Sequence, residues 1–160
     1  MLFRTYNTRR STILKAASII LIIVALSSLV IGIVYVARGT LMPYHMEFIG
    51  DAAMEAIRDN PNLAALVTVF IRLAGTLFVS VGVLLIAVIY YGLRKAERWA
   101  WWATLIGMGA VNGPMVAITR PVGGFPWTLA IVMLTMFVIG IALAAREVLK
   151  KVPKSSAAGI

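Results

Sequence analysis

The side chains of this 160-residue chain that could do chemistry are few and fall in two places. The first lies between two long apolar runs, where His45, Glu47, Asp51 and Glu55 stand close together. The three acids recur every four residues, the spacing that stacks side chains on one face of a helix. Turned inward, that face and His45 would offer carboxylate and imidazole ligands to a divalent metal. With a single histidine and no spaced zinc motif, a water-facing acidic stripe is the simpler expectation, and no metal is predicted. The second place is inside or beside the apolar runs, where Arg72, Asn112 and Arg120 interrupt them. A guanidinium and a carboxamide in such surroundings could hold a carboxylate, a phosphate or a quinone oxygen. Ligand-binding candidates are therefore Arg72, Asn112, Arg120, Glu47, Asp51 and Glu55, with His45 as a weak metal candidate.

Much chemistry is excluded. There is no cysteine, so thiolate catalysis, disulfides and thiol-held metals are impossible. No Walker loop, dinucleotide-binding glycine pattern, zincin motif or nucleophile elbow occurs. His45 alone is a poor set of haem ligands, although the 8 Met include axial candidates. No catalytic residue is assigned, no cofactor is predicted, and an enzyme is not the expectation. Quinone or lipid remains as a class of bound molecule.

The elements that must position these groups follow from composition. Hydrophobic residues make up 61% of the chain and charged residues 13%, against about half and a quarter in soluble domains. Lipid is the solvent that fits. About 20 consecutive apolar residues are needed for a helix to cross, and four runs qualify: 16–37, 63–93, 99–119 and 127–145. The first is too long for a signal-peptide core, at roughly 7–15 residues, and is expected to be retained. No run carries an acid for proton coupling. The expected fold is an all-α, four-helix membrane bundle forming one domain over 1–149, with a basic, mobile tail over 150–160.

The formal charge of +9 does not point to nucleic acid, because the basic residues sit at the ends of apolar runs rather than in one patch. Arg4, Arg9, Arg10, Lys15, Arg94, Lys95, Arg98, Arg146, Lys150, Lys151 and Lys154 share one side, eleven of 15. Both termini are therefore expected in the cytoplasm of a multi-pass cell-membrane protein, with anionic headgroups as partners of those cations. Tyr90, Tyr91, Trp99, Trp101 and Trp102 on that side, and Tyr35, Tyr44, Phe125 and Trp127 on the other, stand where interfacial rings belong.

The long outer connection reads as an amphipathic helix over 44–59. Phe48, Ala52, Ala53 and Ile57 form its apolar stripe, and Asn60-Pro61 ends it and starts the next helix. Arg72 lies roughly 13–14 Å along the second run at about 1.5 Å per residue. It could reach outer headgroups, or pair with Glu47, Asp51 or Glu55. In the third run, Gly109 and Gly113 form a small-xxx-small pair that permits close helix packing. Pro114 invites a kink, and Asn112 could bridge a freed carbonyl. Arg120 to Trp127 forms a Pro/Gly-rich hairpin into the fourth run.

The stretch Ile71-Arg72-Leu73-Ala74-Gly75, followed by an apolar helix and then Arg94 to Trp102 (RKAERWAWW), resembles small four-span prokaryotic integral membrane proteins, the DoxX-like group among them. The resemblance covers the second and third runs. It implies a four-helix membrane fold and an association with quinone-linked redox complexes. Taken together, the leading expectation is a non-catalytic accessory, assembly or scaffold subunit that packs with membrane-protein partners or as a homo-oligomer. The alternative is a small-ligand, quinone or lipid binding protein with an outer-leaflet polar site, and a further one is an oligomeric transporter.

Overall fold

Lipid leaves a chain no partner for its backbone amides, so long uncharged stretches must close their hydrogen bonds within a helix. A computed structural model describes residues 2–150, with side chains from Thr12 onward. The described residues form five α-helices: α1 (Leu2–Arg38), α2 (Pro43–Asp59), α3 (Pro61–Tyr91), α4 (Arg98–Thr119) and α5 (Gly124–Val148). Four of them, α1, α3, α4 and α5, are long and apolar enough to cross a membrane. The basic tail expected over 150–160 lies, beyond Lys150, outside the described residues.

Local sequence sets most boundaries. Asn60 caps α3 by accepting from the backbone N–H groups of Asn62 and Leu63, both at 3.1 Å, and Pro61 occupies the first turn. Gly39 ends α1 at φ +60°, donating its N–H to the Tyr35 carbonyl at 2.9 Å, the left-handed C-terminal cap that glycine adopts without penalty. A 3₁₀ turn, Leu93–Lys95, joins α3 to α4. The fourth span is longer than its sequence expectation at both ends. Pro126 lacks an N–H, but in the first turn that donor has no intrahelical partner anyway, so the helix starts at Gly124. At its far end the helix continues past Ala145 to Val148.

The four spans alternate in direction. Leu14 in the first half of α1, Leu93 after α3, Trp101 early in α4 and Val148 at the close of α5 belong to one buried cluster. That end of the bundle is called the terminal end below, and the opposite one the α2 end. Each of α1 and α4 packs on α3 and on α5. α1 and α3 touch along a seam of small residues. A Cβ on Gly32 would come within 2.7 Å of the Gly75 carbonyl and the Val79 nitrogen, and one on Gly75 within 2.8 Å of the Gly32 carbonyl. Backbone meets backbone here, which only glycine allows.

Close packing was expected instead from Gly109 and Gly113, and the structure corrects this. A Cβ on Gly109 would make only ordinary contact with Phe137 at 3.8 Å, and Gly113 has nothing within 4 Å. The reason is direction: these two glycines do not face a neighbouring backbone, whereas Gly32 and Gly75 face each other.

The core is concentrated at the terminal end. Leu21, Val24, Ile89, Leu93, Met108 and Ala144 are among its buried members. Trp101 ties α4 to α5 there, its indole Nε1–H donating to the Ile141 carbonyl at 3.1 Å. Tyr90 carries the Arg94 guanidinium 4.9 Å from its ring centroid, and the Trp99 indole donates to the Glu97 carboxylate.

A candidate binding cavity at the α2 end

Toward the α2 end the helices part, and a cavity of about 620 Å³ opens between α1, α4 and α5, with α2 over its mouth. Its walls are mostly aliphatic and aromatic, including Val30, Val34, Phe78, Met115, Phe125 and Met133. Among the described residues no Asp, Glu, Lys or Arg lines it. The volume falls within the roughly 300–1,000 Å³ of small-molecule sites, and apolar walls with a few placed polar groups are their usual composition.

The polar groups come from three helices. Asn112 of α4 is 7% exposed, and its Nδ2 donates to the Met108 carbonyl at 2.9 Å. Only the NH₂ of a carboxamide can face a carbonyl, so its Oδ1 is left as an acceptor, and no described donor reaches it. Ser27 and Ser28 of α1 donate to the Ile23 and Val24 carbonyls at 2.9 and 3.4 Å, and Thr119 donates to the Met115 carbonyl at 2.7 Å. Their protons are spent on their own helices, and their lone pairs remain.

At the mouth, Tyr35 of α1 and Tyr44 of α2 share a hydroxyl–hydroxyl bond of 2.7 Å. His45 packs edge-on to Tyr44 with ring centroids 4.2 Å apart, and lies 6.1 Å from the Tyr35 ring. Its Nδ1 accepts the Met42 N–H at 3.2 Å, so in the neutral ring the proton sits on Nε2. Burial pushes the imidazole pKa below its ordinary value, because a charged ring loses solvation there.

α2 is not one straight rod. Gly50 has φ +78° and ψ 168°, a backbone region essentially confined to glycine. The break separates Tyr44, His45 and Phe48, which line the cavity, from the segment that leads to Asn60.

The structure disperses the charged candidates. Glu47, Asp51 and Glu55 are exposed along α2. Arg72 is exposed too and lies over Gly39, where a Cβ would come within 2.6 Å of its Nε. That sets a cation against the C-terminal, negative end of the α1 dipole. No ion pair joins Arg72 to the α2 acids among the described residues. Arg120 is exposed and outside the cavity lining. Of the candidates, Asn112 and His45 are the two that reach the cavity. Among the described residues no group of three or more His, Asp or Glu side chains converges as a metal site.

Sequence reasoning missed Glu147. The expectation that no span carries an acid fails because α5 runs to Val148 and takes Glu147 with it, 2% exposed, its Oε1 accepting from Lys150 Nζ at 3.2 Å. The available signal was an acid three residues before a lysine at a span end, the spacing of a helical ion pair.

By length and composition of its helices the chain is a multi-pass membrane protein, all-helical over the described residues. It matches no protein-family model, no curated protein and no solved structure.

Proposed function

We propose that the chain is a non-catalytic membrane protein that binds a small amphiphile, of lipid or quinone type, in the half of the bilayer nearest α2. The observation that carries this is the 620 Å³ apolar cavity with Asn112 in its wall. A carboxamide in an apolar wall costs free energy unless it gains a partner, and an entering polar group supplies one. By the distribution of lysine and arginine, α2 faces the outside and the termini face the cytoplasm. The occupant then enters from the outer leaflet, beneath an amphipathic α2 lying at the interface.

This reading ranks above the assembly-subunit expectation because apolar span exteriors are what lipid alone requires, and nothing else on them favours a protein partner. It ranks above transport because the buried cluster at the terminal end closes a single chain to passage. The test is purification in lipid nanodiscs, followed by extraction and mass spectrometry of retained small molecules. Val34 lines the cavity and is partly exposed, so Val34→Trp should fill the space and strip the retained molecule while leaving the melting temperature within a few degrees. Equal retention by the variant and the parent protein would refute the cavity as the site.

A further inference from the structure

Resting on that reading, the polar groups of the cavity specify the kind of amphiphile. They form two tiers. Ser28 and Asn112 make the deep one, and Tyr35 and Thr119 belong to the mouth, joined there by Tyr44 and His45. Ser28 to Tyr35 on α1 and Asn112 to Thr119 on α4 are both intervals of seven residues. The two helices run the same way, so the tiers stand about 10 Å apart at about 1.5 Å per residue.

The tiers differ in what they offer. The deep tier chiefly accepts: the Ser28 proton is committed to the Val24 carbonyl, and one of the two Asn112 amide protons to the Met108 carbonyl. What remains is lone pairs, the Asn112 Oδ1 and one amide proton beside it, a set that a hydroxyl, both donor and acceptor, satisfies. The mouth donates: one proton of the Tyr35–Tyr44 pair lies outside their mutual bond, and His45 keeps its proton on Nε2 because Nδ1 accepts from Met42. Neither tier holds a fixed charge, and an ion drawn into such walls would lose its hydration without a counter-ion.

We propose that the cavity selects an uncharged amphiphile with a hydroxyl at the buried end of an apolar body and a second, accepting oxygen about 10 Å away at the mouth. The hydroxyl donates to Asn112 Oδ1, and the mouth oxygen accepts from the tyrosine pair or His45. Anionic lipids and carboxylates are excluded, although Arg72 and Arg120 lie at the same end of the molecule.

Three probes test this on the full chain in nanodiscs: an ω-hydroxy fatty-acid methyl ester whose two oxygen groups match the spacing of the tiers, the same ester without the hydroxyl, and the free ω-hydroxy carboxylate. Binding is read by competition against a labelled hydroxy ester. The hydroxy ester should bind about tenfold tighter than either comparator, one charge-free hydrogen bond in a desolvated site being of that order. In Asn112→Leu the hydroxyl should lose its advantage while the plain ester binds as before. Ser28→Ala, a smaller change, repeats the test if Asn112→Leu does not fold. Equal binding of the two esters, or tighter binding of the carboxylate, overturns this inference and leaves amphiphile binding standing. Failure of all three to bind overturns both.

Discussion

The two ends of this bundle are made of the same kinds of residue and are packed differently. At the terminal end, Leu21, Val24, Ile89, Leu93 and Met108 interdigitate with almost no exposed surface. Trp101 and Ile141 add a bond between helices. At the α2 end the spans separate, and the space between them is lined by Val30, Val34, Met115 and Met133 without being filled. In water such a gap would collapse or cost stability, because dispersion contacts are lost around a void. In lipid the apolar effect that closes gaps between helices is weak, so packing has to be specified residue by residue. The chain specifies it at one end and withholds it at the other. The seam of α1 and α3, which spans the transition, is what lets the open end stay open without the helices falling apart.

That comparison breaks most completely at the seam. Gly75→Leu, or Gly32→Leu, forces a side chain into backbone atoms that stand 2.7–2.8 Å from the added Cβ alone. The expected outcome is loss of a monodisperse folded species on size-exclusion chromatography, whereas Gly113→Leu, with nothing within 4 Å, should behave as the parent protein. Next in size is Trp101→Phe at the packed end. It leaves the buried Ile141 carbonyl without its indole donor and should lower stability by about 1–3 kcal/mol, read as a shifted thermal unfolding curve in detergent. At the open end Tyr44→Phe removes one hydroxyl from the 2.7 Å pair. A cost of about 0.5–1.5 kcal/mol should fall on α2 alone. Hydrogen exchange should then rise over 43–49 and stay unchanged in the core of α5. A uniform rise would mean that the two ends are not separable.

How much of this was legible beforehand depends on what kind of signal each feature leaves. The four spans were, because lipid demands about 20 apolar residues in a row, and Asn60-Pro61 marked the start of α3 by its cap. The seam was not. Gly32 and Gly75 each stand alone in an apolar run, whereas the four-residue spacing of Gly109 and Gly113 is a familiar packing pattern. The longer period was present: Ala25, Gly32 and Gly39 recur every seven residues, as do Gly75 and Gly82, which keeps one face turned to a partner helix. In the cavity, charge misdirected the reading. Arg72 and Arg120 were candidates because a cation in a span is costly, yet Arg72 lies at the end of α1. The walls are built from neutral groups whose burial no single residue announces. Asn112 was legible because a carboxamide in a 21-residue uncharged run needs a partner.

The smallest expected effect sharpens the contrast without disturbing the fold. His45 binds the start of α2 by accepting the Met42 N–H on Nδ1, and a protonated ring has no lone pair left to accept with. Its pKa in the folded protein lies below the ordinary 6.5, burial being the cause. The unfolded or undocked segment titrates near 6.5, so it binds more protons than the folded form as the pH drops below that value. The contribution of His45 is therefore complete above about pH 6.5 and is lost as pH falls through the lowered folded value. That sets a window below about pH 6.5 for the imidazole, and the acids of the same helix, Glu47, Asp51 and Glu55, are exposed and lie outside the cavity lining. Amide exchange at Met42 and over 43–46 should quicken across that window, while exchange in 100–108 of the packed end stays flat. In His45→Asn, where a neutral acceptor replaces the titrating one, the pH dependence should vanish. If it persists, the start of α2 is held by something other than this bond, and the mouth of the cavity is not under its control.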